Sequence, residues 1–330
     1  MTRVLAGAAA LVALGACGQR QEPAAAIPEP ASVPAQTPAP TAARAHAEDP
    51  ATAPGKAVFR VVGFRTPRSV LHDLEADVYL VSNVNGDPAA ADDDDNGFIS
   101  RVSPDGQVLD LKWIDGAGDD DLLLSAPMGM AITRGKLWVA DRNKVHAFDA
   151  RTGRHDATYK IPQATSLADV AVVEGAVIVS DNGSELAGGL FRLGAGRRPT
   201  PTPYLTPDQP GASHPQGLHA PGDGSLWVTA GRELYRVVDG KRTAGGALPS
   251  GALDGIVGLP GGELLVASHD GVIFRGRPRP ARDGTLEVTW TELFADLQTP
   301  SDIGYDARRN RVLIPLVLAN AIEIRDVPLP

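Results

Sequence analysis

PMGMAITRGKLWVADRNKVHAFD, Pro127 to Asp149, reads as three short strands in 23 residues. The first runs from Gly129 to Thr133 and reverses at Arg134-Gly135. The second runs from Lys136 to Ala140 and turns at Asp141, and the third runs from Lys144 to Phe148. The pattern returns along the chain, opening at Pro67-Arg68-Ser69-Val70, Pro127-Met128-Gly129-Met130, Leu167-Ala168-Asp169-Val170, Pro215-Gln216-Gly217-Leu218, Leu253-Asp254-Gly255-Ile256 and Pro300-Ser301-Asp302-Ile303. Second strands follow in matching register, from Tyr79-Leu-Val-Ser82 and Leu137-Trp-Val-Ala140 to Val312-Leu-Ile-Pro315. Third strands end alike in five units, at Arg101, Arg192, Arg236, Arg275 and Arg325.

Unit starts at residues 67, 127, 167, 215, 253 and 300 lie 38 to 60 apart. Self-similarity at that period, with about four strands per unit, is the mark of a propeller. One small sheet cannot bury both faces alone, so neighbours stack around an axis. The expected fold is all-β, a six-bladed β-propeller over residues 56–330. Val58 to Val62 precedes the first unit and reads as a weak strand, whereas the last unit lacks a fourth one. Those residues are expected to pair outside Ile322 to Arg325 and to close the ring, hiding an edge open to aggregation.

Before the repeats, Arg3 is followed by an apolar run from Val4 to Leu14, too short to span a bilayer and suited to a signal-peptide core. It ends in Leu14-Gly15-Ala16-Cys17, which resembles a bacterial lipoprotein box. That resemblance implies a signal peptide over residues 1–16 and lipid on Cys17; a secretory signal with an incidental cysteine is the other reading. Cys17 is the single cysteine, so no intramolecular disulfide forms. Residues 18–55 hold 12 Ala and 8 Pro and no aromatic residue. Such a segment buries too little to offset its ordering entropy, and residues 17–55 read as a tether. Gly18 after the cysteine suggests the outer membrane, facing the periplasm, with attachment through the lipid alone.

Net charge is −9 and no basic stripe is visible, which argues against a nucleic-acid partner. Asp92, Asp93, Asp94 and Asp95 crowd one loop. They read either as a solvated acidic loop or as a calcium site, although the spacing fits no EF-hand. Signatures of serine hydrolases, zinc helices, phosphate loops and Cys-x-x-Cys redox sites are missing. The seven histidines are scattered and read as packed or surface residues, with His214 and His269 at rim positions. Trp113, Trp138, Trp227 and Trp290 read as blade-packing residues. No oligomer signature is present, and a monomer is expected.

In a propeller the first strand of each blade lines the channel, so the residues at its entrance converge on the axis. Here they are Arg68, Met128, Ala168, Gln216, Asp254 and Ser301, with Asp169 and Asp302 one step further. Converging carboxylates call for a cation, a raised pKa or a basic neighbour. The alternative for Asp169, Asp254 and Asp302 is turn capping through the backbone.

The repeat set, including Asn96-Gly-Phe-Ile-Ser100, Leu137-Trp-Val-Ala-Asp141, Leu253-Asp-Gly-Ile256 and Asp302-Ile-Gly-Tyr-Asp306, resembles exported bacterial members of the senescence marker protein / gluconolactonase family, to which regucalcin belongs. The resemblance implies lactone hydrolysis with one channel cation (Ca, Mn or Zn) held by a first-blade Glu, a fourth-blade Asn and a fifth-blade Asp, with a third-blade Asn near the substrate. Asp254 matches the Asp, Gln216 replaces the fourth-blade Asn, Ala168 the third-blade Asn, and Arg68 the Glu. A guanidinium stays charged and would occupy or repel a cation site. An ion pair between Arg68 and Asp254 is therefore expected, with a degenerate metal site and a role in binding an envelope ligand or protein. The alternative is a divalent-metal-dependent sugar-lactone hydrolase with Asp254 as ligand or base.

Overall fold

The computed structural model describes residues 47–48, 57–87, 94–118, 122–183, 189–194, 200–205, 214–243, 246–250, 253–281 and 286–328. Among them stand six antiparallel sheets of a β-propeller and no α-helix; one 3-10 turn occurs, at Gly116–Gly118. Blade 2 shows the pattern, with strands Pro127–Thr133, Lys136–Asp141, Lys144–Asp149 and His155–Lys160 running from the axis outward. The inner strands of the others are Pro67–Asp73 in blade 1, Leu167–Val173 in blade 3, Pro215–His219 in blade 4, Leu253–Gly258 in blade 5 and Gly304–Asp306 in blade 6. No helix of the described residues is long and apolar enough to cross a membrane. Cys17 and the whole signal segment lie outside the described residues, as does nearly all of the tether.

Ring closure follows the expected scheme. Ala57–Val62 pairs antiparallel with Ala321–Asp326 on the outer side of blade 6, placing Val61 opposite Ile322 and Arg60 opposite Glu323. Inside the stretch whose composition reads as tether, the two residues Ala47–Glu48 add one more short strand, Ala47 opposite Val61. At the axis the ring is stitched by a parallel bridge between blades 1 and 6, where Val70 N donates to Asp302 O (3.2 Å) and Asp302 N to Arg68 O (3.0 Å).

Alternation along the second strand explains the stacking. Successive side chains point to opposite faces of a sheet, so one set meets the preceding blade and the next set meets the following one. Leu80 of blade 1 packs with Val139 of blade 2, Ile178 with Val228, Trp227 with Val266, Leu265 with Ile314, and Leu313 of blade 6 back onto Val81. Each interface is thus a small apolar core, and the ring is closed by residues of the same type that build it.

Hydroxyls staple the inner strands. Ser180 Oγ accepts the Asp169 N–H (3.0 Å) and donates to the Gln216 carbonyl of the next blade (2.6 Å). Thr229 Oγ1 does the same between Gly217 N–H (2.9 Å) and the Asp254 carbonyl (2.8 Å). Such close approach leaves no room for a side chain: a Cβ on Gly217 would lie 2.2 Å from Asp254 O, and one on Gly255 2.4 Å from Ile303 N.

Candidate channel site

Five of the inner strands carry an irregularity just after their first residue, with the pairing register shifting between Pro67 and Ser69, Pro127 and Met130, Leu167 and Val170, Pro215 and Leu218, and Leu253 and Ile256. A β-bulge inserts an unpaired residue and re-aims side chains. The residues inserted here are those that the repeat alignment places at the channel entrance.

The structure brings Arg68 and Asp254 together from blades 1 and 5, Arg68 Nη2 lying 3.3 Å from Asp254 Oδ2. The same Oδ2 accepts from His269 Nε2 (2.7 Å) and from Ser301 Oγ of blade 6 (2.6 Å). Burial pushes the Asp254 carboxyl up, but the Arg68 charge and the hydrogen bonds from His269 and Ser301 outweigh it and hold the pKa at about 2. Arg68 uses its fork poorly: one nitrogen reaches the carboxylate, and its buried Nε has no acceptor among the described residues. Gln216 and Ala168 sit at the equivalent positions of blades 4 and 3, half-buried and buried respectively.

One step further along the strands, Asp169 and Asp302 face a channel cavity of about 370 Å³ that all six inner strands line, together with Ser69, His72 and His219. Asp169 does cap backbone: Val170 N–H donates to its Oδ1 (2.6 Å) and Leu218 N–H of the next blade to its Oδ2 (2.7 Å). Burial and the nearby charge of Asp302 nevertheless push its pKa well up. Asp302 accepts the Ser69 hydroxyl (2.5 Å). Burial first, and then the Asp254 charge, raise it to about 7. His219 is pushed down to about 4 by burial and is neutral in the channel near pH 7.

A carboxyl whose folded pKa exceeds its unfolded value of 3.8 binds its proton more tightly in the native state. The stability it contributes is complete below about pH 4 and is lost as pH rises through about 7. Asp302→Asn should remove that slope: denaturant midpoints of the variant should gain on the wild type between pH 5 and 8, by an amount on the order of a few kcal/mol. A difference that stays constant with pH would mean that Asp302 is ionised throughout.

Other residues singled out by the sequence are placed as follows. Asp94 accepts from Asn96 Nδ2 (2.6 Å) and Asp95 from Ser125 Oγ (3.3 Å), while Asp92 and Asp93 lie outside the described residues. No group of three or more His, Cys, Asp or Glu able to hold an ion occurs among the described residues. His214 Nδ1 donates to Asn182 O at 2.5 Å. His72 lies between Asp77 and Asp306, and His146 between Asp141 and Thr158, so both are engaged within their own surroundings. Sequence reasoning left His269 as an unassigned rim residue. Its link to Asp254 is made across the irregularity that follows Leu253, whose antiparallel partner is Ser268, and no sequence signal marked it.

No protein-family model matches the chain, and no curated protein does. Solved structures do. A gluconolactonase from Xanthomonas campestris, important in glucose secondary metabolic pathways, superposes with a TM-score of 0.58 at 18% identity, covering 86% of this chain and 98% of that one. A second structure described as a gluconolactonase gives 0.58 at 17%, covering 86% and 97%. A protein from Thermus thermophilus described as an oxidoreductase (glucose dehydrogenase) gives 0.60 at 15%, covering 82% and 98%. At these identities the likeness is one of fold: the chain is a six-bladed β-propeller.

Proposed function

We propose that this chain is a gluconolactonase-like propeller, held to a cell-envelope membrane through Cys17 and its Ala/Pro-rich tether, that binds an envelope ligand or protein at its channel mouth with no catalytic cation. The observation that carries the reading is the Arg68 guanidinium on Asp254. A divalent cation needs several anionic or carbonyl oxygens turned inward. The donors at the mouth are one carboxylate and the Gln216 amide, with Ala168 supplying none and a permanent positive charge beside them. That set does not fit a metal. It fits an anionic or hydroxyl-bearing group better: the Arg68 guanidinium has donors beyond the one nitrogen on Asp254, and His269 stands half-buried beside it.

A second reading, lactone hydrolysis with a divalent metal, is favoured by one detail. The three hydrogen bonds to Asp254 among the described residues all fall on Oδ2, so a metal approaching Oδ1 would compete with none of them directly. Calorimetric titration of the metal-stripped chain with Ca²⁺, Mn²⁺ and Zn²⁺, repeated on Asp254→Ala and on a variant with Asp92 to Asp95 changed to Asn, separates the two. No binding at millimolar metal is expected at the channel mouth. Binding abolished by Asp254→Ala would overturn the proposal in favour of the hydrolase and justify a lactone screen. Binding abolished only in the loop variant would assign calcium to the acidic loop.

A further inference from the structure

The repeat departs from itself in two blades: in blade 6 the pair is Leu313 with Ile324, both fully buried, and in blade 2 the covering side chain is lost altogether. In blades 1, 3, 4 and 5 the central residue of the second strand pairs with an arginine of the third: Leu80 with Arg101, Ile178 with Arg192, Trp227 with Arg236 and Leu265 with Arg275. In blade 2 the pair is Trp138 with Ala147, and Ala157 lies behind Ala147 on the fourth strand. Two methyl groups thus stand where a long side chain would cover the sheet. In blade 4, by contrast, the Arg236 guanidinium covers the equivalent tryptophan, 5.6 Å from the ring centre.

The consequence is a cleft of about 500 Å³ between blades 2 and 3, on the face opposite the channel mouth, where the hairpin turns at Arg134-Gly135 and Glu174-Gly175 lie. Trp138 is half-buried there, whereas its equivalents Leu80, Ile178, Leu265 and Leu313 are fully buried and Trp227 nearly so. Tyr159 stacks against Trp138 with ring centres 5.6 Å apart at 28°. The indole Nε1–H is buried and has no acceptor among the described residues. A buried donor without a partner costs free energy that an incoming acceptor recovers.

The rim sets the ligand class. Arg134, Lys136 and Asp156 line it, and Asp156 is already engaged by Lys136 and by Arg154 (2.7 Å). Cations outnumber carboxylates, so a second cation, the simplest replacement for the missing arginine, is repelled. A purely apolar ring would leave the indole N–H and the charged rim unmatched. A sugar ring suits all of these: its C–H face lies on aromatic carbon, its oxygens accept from the indole, Lys136 and Arg134, and a hydroxyl donates to Asp156.

We propose that the cleft between blades 2 and 3 is a carbohydrate-binding site, with Trp138 and Tyr159 as its aromatic wall. It is separate from the channel mouth and does not depend on the function proposed for it. The test is saturation-transfer NMR on the whole chain with D-glucose, D-galactose, D-mannose, N-acetyl-D-glucosamine and D-glucuronate as probes. Transfer to the ring protons of at least one is expected, weakened at least tenfold in Ala147→Arg, which restores the arginine of the repeat and fills the cleft. Trp138→Phe keeps a ring and removes the N–H, and should also weaken binding if Ala147→Arg fails to fold. Absence of transfer to all five probes, or transfer that survives both cleft variants, overturns the proposal. A response from D-glucuronate alone would place a sugar acid in the site, as the cationic rim favours.

Discussion

Arg68→Ala is expected to destabilise the protein by about 3 kcal/mol at pH 7, the scale for removing one partner of a buried ion pair. The Asp254 side chain is 5% exposed and that of Arg68 12%, so solvent screens the pair little. Without the guanidinium, the carboxylate keeps only the His269 and Ser301 hydrogen bonds against its burial and against the charge of its neighbours. Depression of its pKa from 3.8 to about 2 corresponds to about 2 kcal/mol of native-state preference for the ionised form. For a depressed carboxyl that contribution is present above about pH 4 and fades as pH falls through 2. Urea titrations at pH 7 and pH 3 check the prediction: the loss in Arg68→Ala should shrink toward pH 3, and Arg68→Met combined with Asp254→Asn should recover most of it. An equal loss at both pH values would mean that Arg68 matters through packing and not through charge.

Deleting Ala57–Val62 should have a larger effect, lowering the melting temperature by at least about 10 °C or preventing recovery of soluble protein. These residues are the outer strand of blade 6. Their removal uncovers Ile322 and Ile324, takes Val61 out of the cluster that contains Tyr79, Val81 and Leu313, and leaves a bare strand edge. For the case in which the deletion leaves nothing to melt, Val61→Ala serves as the graded version, with an expected cost of about 1 to 2 kcal/mol. Thermal unfolding of both, with light scattering for the deletion, is the measurement. A deletion variant that melts like the wild type would show that the ring closes without this strand.

The blade count, the order of strands and the closing strand were all legible in the chain, because each depends on local pattern. Alternation marks a strand, a Gly or Asp turn ends it, and the spacing of such units sets their number. The bulge residues were legible for the same reason: six aligned openings put Arg68 and Asp254 on one ring of positions, and opposite charges at converging positions pair. Ala47–Glu48 was not legible, since its two-residue strand depends on an edge that exists only once Ala57–Val62 has docked.

What the order of residues left undecided is how three aspartates at nearly equivalent places differ. Asp254 is held ionised because Arg68, His269 and Ser301 reach it from three separate stretches of chain; Asp302, with one serine hydroxyl and an acidic neighbour, keeps its proton up to about pH 7. Ionisation depends on burial and on the charges within a few ångströms, and both are set by which blades meet at the axis. The cleft beside Trp138 has the same origin. Ala147 in place of the repeat's arginine is visible in the sequence, yet its effect, an uncovered indole facing the next blade, arises only when two sheets stack and the missing volume is left between them.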